Sequence, residues 1–289
     1  MGIKDILPNK LLADYIKCFR VIHMLPTTSI YQFSKFYVPK PEMVLHSIIR
    51  GVQKIRPSTD LTNELTFKCF VSGQQTQPFT FYNNGELLNF QIVFAPTAFF
   101  NLIKIPSCEL TNTFIDADLI FGNSIKSYFE KLEIAESSAE MIKIAEAFIL
   151  NVISKQKVVA TNIDGIFRRK LPYVANMTVD KLAKENCLCE KQFKRTFKEK
   201  IGVNPKMYLS IVRFYKAYNI KNANPQWDWL RIAVECGYYD YQHICKEYLY
   251  LTRHTPVQYH KQIESQSPEI LLGIAEQIYY DRFKKLELY

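Results

Sequence analysis

The sequence has few glycines and no long apolar run. Its nine glycines in 289 residues form no phosphate-binding loop and no G-x-S-x-G nucleophile turn. No stretch approaches the roughly eighteen apolar residues of a membrane span, and the first residues lack the order of a secretory signal. We therefore expect a soluble, cytoplasmic protein without membrane contact, and we exclude nucleotide-binding and hydrolase sites of these kinds.

Cysteine and histidine show no metal-binding pattern. The seven cysteines include no C-x-x-C pair, and the one close pair, Cys187 and Cys189, lies in a predicted turn. We expect reduced thiols that fill small apolar spaces. A catalytic metal centre with imidazole ligands needs two or three histidines, but the first half offers only His23 and His46, without an H-x-H pair. Both are expected to be ordinary surface or core histidines, and we predict no metal, no cofactor and no enzymatic activity.

Positive charge is what the sequence has in excess, and the excess is concentrated. Residues 173–262 carry 11 Lys and 4 Arg against 3 Asp and 5 Glu, which is +7 of the chain's net +9. A general solvated coat would spread this charge more evenly. The C-terminal part is therefore predicted to bind an anionic partner, and a nucleic-acid site is preferred over a solvated coat.

The first 120 residues or so alternate short apolar runs with turn residues, which is typical of a sandwich or barrel. Asn84–Gly85 is predicted to be a hairpin turn. After this region the period becomes helical, with helices predicted at 124–132 and 137–153, and Ser137 and Glu140 form a capping box. The apolar stripe of the second helix is compatible both with packing on the barrel and with a dimer seam. The predicted strands are SIYQFSKFYV, MVLHSIIRGV, LTFKCFVSG, FTFYNN and LNFQIVFAP.

An amphipathic helix is predicted from Cys189 to Gly202, where Phe193 and Phe197 form one apolar stripe among basic side chains. With the short helix that follows Thr178, it makes a helix-turn-helix unit. A long helix follows, with a proline at its start. Upstream, the polar break at 155–157 is the predicted domain boundary, and a further helix is predicted at 158–169.

The helix-turn-helix pattern recurs about fifty residues later. Ile232–Ala233 repeats Leu182–Ala183, Tyr248 repeats the position of Phe197, and a second proline follows at the matching distance. Two helix-turn-helix units joined by one long helix are therefore predicted.

These residues resemble the DNA-binding domain of the AraC/XylS family of bacterial transcription regulators. The resemblance covers 178–262 and rests on QFKRTFKEKIGVNPKMYLSIVRF, on IAVECGYYDYQHICKEY and on TPVQY. It implies two recognition helices in successive major grooves, roughly 34 Å apart. The DNA-binding residues so expected, with the alternative that some lie on solvated helix faces, are Glu190, Lys191, Gln192, Lys194, Arg195 and Lys198 in the first unit, and Asp240, Tyr241, Gln242, His243 and Lys246 in the second.

The second unit departs from the family pattern. Arg253 stands where the first unit has Gly202, so that helix end lacks a residue that adopts positive φ freely. The residues after Asp240 also differ from the usual order, with Tyr241 first and Ile244 in place of a common phenylalanine. The resemblance therefore does not transfer a base preference, and the first unit is expected to carry more of the sequence specificity.

The N-terminal half resembles, over VFAPTAFFNLIKIPSCELTN and DADLIFG, the β-rich sensor region of some members of this family. The expected fold is α+β: a β-rich cupin-like barrel with a helical pair at 1–156, an all-α domain of two helix-turn-helix units joined by a long helix at 157–264, and a helical tail at 265–289. The expected partners are double-stranded DNA, an unidentified small-molecule effector, a second copy in a homodimer, and RNA polymerase, with the protein at the bacterial nucleoid. The alternatives are an architectural protein without an effector, which a barrel filled by its own side chains would favour, and a cupin-type enzyme.

Overall fold

The computed structural model describes residues 2–26, 32–58, 62, 64–156, 164 and 178–271. An antiparallel sheet comes first and a helical part follows, which confirms the predicted α+β class. The sheet order is β1-β2-β7-β4-β6-β8, with β3 paired to β7 and β5 paired to β4. The strands are β1 Gly2–Ile6, β2 Ile16–Met24, β3 Gln32–Tyr37, β4 Val44–Pro57, β5 Leu65–Thr66, β6 Cys69–Ser72, β7 Phe79–Phe94 and β8 Phe114–Asp116.

Strand β7 runs unbroken through Asn84–Gly85, so the predicted hairpin turn is wrong. Gly85 has a φ of +76°, and the pairing between β4 and β7 slips in register just beyond it. The Asn-Gly pair therefore lies beside a bulge within a long strand. Gly51 on β4 lies at the same place, and a Cβ atom there would overlap the carbonyl oxygen of Glu86. Both glycines are needed for the bend.

Four helices follow the strands or lie between them, and they cover one face of the sheet. They are α1 Ala98–Ile103, α2 Asp118–Phe121, α3 Asn123–Glu133 and α4 Ser138–Lys155. The last two confirm the predicted helical pair. The Ser137 side chain accepts a hydrogen bond from the backbone N–H of Glu140, whose carboxylate reaches back to the N–H of Glu136. The apolar stripe of α4, which contains Ala145 and Phe148, packs against the sheet and is buried there.

The C-terminal part consists of short helices around one long helix. They are α5 Val179–Glu185, α6 Glu190–Ile201, α7 Pro205–Ala223, α8 Trp229–Glu235, α9 Tyr241–Thr252, α10 Pro256–Gln258 and α11 Pro268–Leu271. None of the helices in the described ranges is both long and apolar enough to cross a membrane. The helix predicted at 158–169 lies outside the described residues except for Asp164, as does the tail beyond residue 271, and the predicted domain bounds stay predictions.

The N-terminal part contacts the C-terminal part near both units. The hydroxyls of Ser107 and Thr111 donate hydrogen bonds to the carbonyls of Lys200 and Gly202, at 2.9 and 2.7 Å. These bonds hold the end of α6 in the first unit. On the other side, Phe36 of β3 packs against Tyr259 behind the second unit. Both units are therefore positioned by the N-terminal part.

Candidate nucleic-acid interface

The first helix-turn-helix unit consists of α5 and α6 packed against α7. Thr178 begins α5 by accepting a hydrogen bond from the backbone N–H of Lys181. Phe193 and Phe197 of α6 are fully buried together with Leu182 of α5. Because one stripe of α6 is fixed in this core, its opposite face points to solvent.

All six residues predicted to contact DNA from the first unit are exposed on that face of α6. Glu190 and Lys194 form an ion pair of 2.6 Å one helical turn apart, which partly neutralises that lysine. The Cys189 thiol donates a hydrogen bond of 3.2 Å to the side-chain carbonyl of Gln192. The six residues are Glu190, Lys191, Gln192, Lys194, Arg195 and Lys198.

Three cations of this face have no acidic partner within the described part of the chain. They are Lys191, Arg195 and Lys198, all exposed. By contrast, the Lys200 side chain on the same helix is only 10% exposed, and its ammonium lies 2.8 Å from a carboxylate oxygen of Asp164. The positive charge that remains on the α6 surface is therefore concentrated where a phosphate backbone could approach.

The second unit repeats this construction with α8 and α9 on α7. Asp228 begins α8 by accepting a hydrogen bond of 2.8 Å from the backbone N–H of Arg231. Ile244 and Tyr248 of α9 are fully buried, and the Tyr248 ring lies edge-on to Phe214 of α7. The predicted internal repeat is therefore confirmed as two similar structural units.

The residues predicted to contact DNA from the second unit are less uniform. Tyr241, Gln242 and Lys246 are exposed on α9. Asp240 is exposed too, but its carboxylate accepts a hydrogen bond of 2.7 Å from the backbone N–H of His243 and so begins the helix. The His243 ring is half-buried. This face therefore offers hydroxyl and amide groups but only one lysine.

A buried polar network holds α9 to α7, and sequence reasoning did not find it. The Arg213 guanidinium of α7 binds the Glu247 carboxylate of α9 through two nitrogens. The Tyr238 hydroxyl donates to the same carboxylate at 2.9 Å. Burial, and then the adjacent Glu247, raise the pKa of Tyr238, so its phenol stays protonated and donates. No sequence motif marks these three residues, since they come from separate elements.

Each unit has two residues with positive φ, one in its turn and one at the end of its second helix. Glycine occupies the helix end in the first unit and the turn in the second. In the first unit the turn residue is Cys187 (φ +53°) and the helix ends at Gly202 (φ +103°). In the second unit the turn residue is Gly237 (φ +73°) and the helix ends at Arg253 (φ +65°). Each unit therefore has one left-handed residue with a side chain, at a cost of about 1–2 kcal/mol.

Replacing Arg253 by glycine is expected to raise the free energy of unfolding by about 0.5–1 kcal/mol, because glycine adopts this backbone conformation without strain. Urea unfolding followed by circular dichroism measures the change. Gly237→Ala is the matched control, and it should lower stability by a similar amount. A destabilised Arg253→Gly variant would show that the arginine side chain matters more than the backbone strain.

The cysteine prediction is right for some residues and wrong for the close pair. Cys18, Cys69 and Cys236 are buried, and burial raises the pKa values of their thiols to about 11, 12 and 12. Cys187 and Cys189 are exposed in the turn between α5 and α6. They do not fill an apolar space.

The strands of the sheet line a partly open cavity. Strands β1 to β4, β6 and β7 all contribute to its lining, which combines Phe79 and Phe81 with Lys40, Gln75 and Gln91. The cavity has a volume of about 50 Å³. Pockets for drug-sized ligands usually measure about 300–1,000 Å³. The cavity is therefore small and mixed in polarity.

Buried charges beside this cavity are paired. Arg20 binds Asp5 at 2.7 Å and Glu42 at 3.0 Å. Burial alone would raise the pKa of Glu42, but Arg20 and Lys17 hold it well below its usual range. These pairs explain how a guanidinium and two carboxylates are accommodated inside the sheet.

Both histidines of the N-terminal part have protein partners, as expected of ordinary histidines. His46 is buried, with Nε2 at 3.0 Å from the Ser72 hydroxyl, and burial lowers the pKa of His46 to about 3. His23 lies 2.9 Å from Glu86. Within the described residues, no three side chains of His, Cys, Asp or Glu are grouped as metal ligands.

Comparison with known proteins gave one sequence match and several similar structures. Residues 4–116 match a domain of unknown function, DUF6597, and a search of curated proteins found no match. ToxT from Vibrio cholerae is similar at 11% identity over 83% of this chain and 96% of its own, with a TM-score of 0.43. Wild-type ToxT bound to an unsaturated fatty acid is similar at 12% identity over 87% and 98%, with a TM-score of 0.45. The AraC-like transcriptional activator CuxR is similar at 12% identity over 75% and 86%, with a TM-score of 0.28.

Proposed function

We propose that the chain is a sequence-specific transcription regulator of the AraC/XylS type that binds double-stranded DNA and is not an enzyme. The observation that carries this proposal is the pair of helix-turn-helix units on one connecting helix, α7, each with an exposed second helix. Units of this kind insert their recognition helices into successive major grooves, roughly 34 Å apart.

The first unit supplies most of the affinity and specificity in this proposal. Arg195 can donate two hydrogen bonds to guanine, and Gln192 can pair with adenine, each contact contributing about 1–3 kcal/mol of discrimination. Lys191 and Lys198 contact phosphates, which adds affinity without sequence information. Lys194 contributes less, because Glu190 already partly neutralises it.

The second unit contributes mainly through hydrogen-bonding and apolar groups. Tyr241 and Gln242 project from the first turn of α9, where recognition helices meet base edges. Lys246 adds one phosphate contact, while Asp240 and His243 position the start of the helix. This unit therefore adds less salt-dependent affinity than the first.

In this proposal the N-terminal part controls how the two helix-turn-helix units are oriented toward DNA. Its contacts with the end of α6 and with Tyr259 behind the second unit can transmit a change in the sheet to both units. A small polar effector in the cavity, or a homodimer contact, would bias that presentation, and RNA polymerase would be the partner at the promoter. The protein then acts at the nucleoid in the cytoplasm.

An architectural DNA-binding protein without an effector is the second candidate. The observation that favours it is the small volume of the cavity, about 50 Å³. Measuring the unfolding temperature of the protein in the presence of each member of a metabolite library separates the two candidate functions. A stabilising ligand whose effect disappears on substitution of Gln91 supports the effector.

The salt dependence of DNA affinity tests the proposal. Duplexes selected from genomic fragments should bind with a log K that falls linearly with log salt, by roughly 0.9 for each phosphate contacted. The triple variant Lys191→Ala, Arg195→Ala and Lys198→Ala removes two proposed phosphate contacts and one base contact, so it should reduce this slope by about 2 and weaken binding strongly. Fluorescence anisotropy from about 50 to 200 mM salt measures both.

The matched control removes three exposed lysines from the helical pair of the N-terminal part. Lys131→Ala, Lys143→Ala and Lys155→Ala change the net charge by the same amount away from the proposed interface. This control should keep the wild-type slope. A flat salt response of the wild type, or equal losses in both triple variants, would contradict DNA binding through α6.

A further inference from the structure

The turn between α5 and α6 exposes two thiols. Cys187 and Cys189 flank Leu188 and are both exposed, whereas the other five cysteines are buried or half-buried. Cysteine is among the residues most often buried, and its conservation usually follows from its reactivity rather than its packing. A pair of exposed cysteines two residues apart therefore suggests a chemical role.

Both cysteines stand where folding stability favours another residue. Cys187 has a φ of +53°, and the matching residue of the second unit is Gly237. Cys189 is the N-cap residue of α6, and its side chain caps no backbone N–H, whereas Asp240 caps α9. Each of these two features lowers the free energy of unfolding by about 1 kcal/mol. The two costs fall on the only two exposed thiols in the described residues, which favours selection for the thiols themselves.

Only one residue separates the two cysteines in the chain. Residues two apart in sequence have Cα atoms separated by at most about 7 Å. A disulfide needs a Cα separation of about 4.4–6.8 Å. The separation in sequence alone therefore keeps the two Cα atoms within, or just beyond, the range that a disulfide needs.

We infer that Cys187 and Cys189 form a reversible disulfide that controls DNA binding by the first unit. With hydrogen peroxide as oxidant, one thiol attacks the peroxide and becomes a sulfenic acid, releasing water. The second thiol then attacks this sulfur, the S–S bond forms, and a second water leaves. A cellular thiol reverses the reaction by exchange. The effect on DNA rests on the proposed function, but the chemistry of the turn does not.

The disulfide would act directly on the residues that contact DNA. In the reduced protein the Cys189 thiol donates to the Gln192 side-chain carbonyl at 3.2 Å. Oxidation removes this hydrogen and pulls the N-cap residue toward Cys187. The start of α6 then shifts, and Gln192 and Lys191 lose their positions relative to the groove.

Mass spectrometry of the full chain tests the disulfide. Trypsin cleaves after Lys184 and Lys191 and releases one peptide, 185–191, that contains both cysteines. After peroxide and blocking of free thiols, this peptide should be about 2 Da lighter than the reduced, unblocked peptide, and dithiothreitol should restore it. DNA affinity should fall about tenfold in parallel, the equivalent of one good base contact, and recover on reduction.

Two variants sharpen the test. Cys189→Ser should keep its DNA affinity in peroxide, and its hydroxyl can cap α6, so it is expected to fold. Cys108→Ser should respond to peroxide as the wild type does. A peptide that keeps its mass, or gains only oxygen, would overturn the disulfide. A disulfide that leaves DNA affinity unchanged would overturn its regulatory role, while a reduced protein that binds no DNA would count against the proposed function alone.

Discussion

Replacing Glu247 by alanine is expected to lower the free energy of unfolding by about 3–5 kcal/mol, because it leaves the largely buried Arg213 guanidinium without its partner. The Tyr238 hydroxyl also loses its acceptor. Because these contacts join α9 to α7, the variant should also lose the contribution of the second unit to DNA binding. Urea unfolding and fluorescence anisotropy on duplexes with one or both half-sites measure the two effects.

Glu190→Ala is the matched control, because it removes the same side chain from the other recognition helix. Its ion pair with Lys194 is exposed, so stability should change by only about 0.2–0.5 kcal/mol. Loss of a negative charge from the proposed DNA-binding surface should increase DNA affinity slightly. Similar destabilisation by the two substitutions would contradict the importance assigned to burial.

A double variant separates packing from charge in the same network. Arg213→Met combined with Glu247→Leu removes both charges and keeps most of the volume. It should recover much of the stability lost in Glu247→Ala, since a buried pair can often be replaced by apolar residues without loss. If the double variant is as unstable as the single one, the network contributes through specific hydrogen bonds to Tyr238.

Local patterns predicted the helices of both parts well. The Ser137 cap, the proline that begins α7 and the spacing of Phe193 and Phe197 each depend on neighbours within one or two turns. All the residues that determine such local features are adjacent in the sequence, so the sequence alone predicts them. The internal repeat added a second, independent indication, and it identified Tyr248 as the counterpart of Phe197.

Features that depend on distant residues were not predictable in this way. Asn84–Gly85 has the composition of a hairpin turn, yet the long pairing of β7 with β4 overrides that preference and uses the glycine in a bend. The partner of Glu247 is thirty-four residues away on another helix. The exposure of Cys187 depends on how α5 and α6 pack, and composition alone placed that thiol inside.

The candidate interface was predictable only in part for the same reason. Periodicity identified the outward face of α6, and all six predicted residues are exposed there. It did not show that Glu190 would neutralise Lys194, or that Lys200 would turn away to Asp164. Net charge counts every lysine equally, whereas the folded chain leaves only some of them unpaired.

The second large effect is expected from acid. His46 in the sheet is buried and His260 in the helical part is half-buried, and loss of hydration lowers their pKa values to about 3 and about 4. In the unfolded chain both titrate near 6.5, so below that pH the unfolded state binds more protons than the folded state. Stability is therefore fully present above pH 6.5 and falls as the pH drops toward 4. Each histidine contributes a loss of about 1.4 kcal/mol per pH unit.

Urea unfolding at a series of pH values between 7 and 4 measures this loss, with probes that report on each part separately. His46→Gln should flatten the pH dependence of the sheet, and His260→Gln that of the helical part, because a neutral amide does not titrate. The Ser72 hydroxyl lies 3.0 Å from Nε2 of His46, and the Tyr248 hydroxyl lies 3.2 Å from Nε2 of His260. Each glutamine variant keeps a polar atom for the corresponding hydroxyl. If both variants retain the wild-type slope, carboxylates such as Glu42 rather than the two histidines govern acid sensitivity, since a carboxylate with a lowered pKa also loses its stabilising effect as the pH falls.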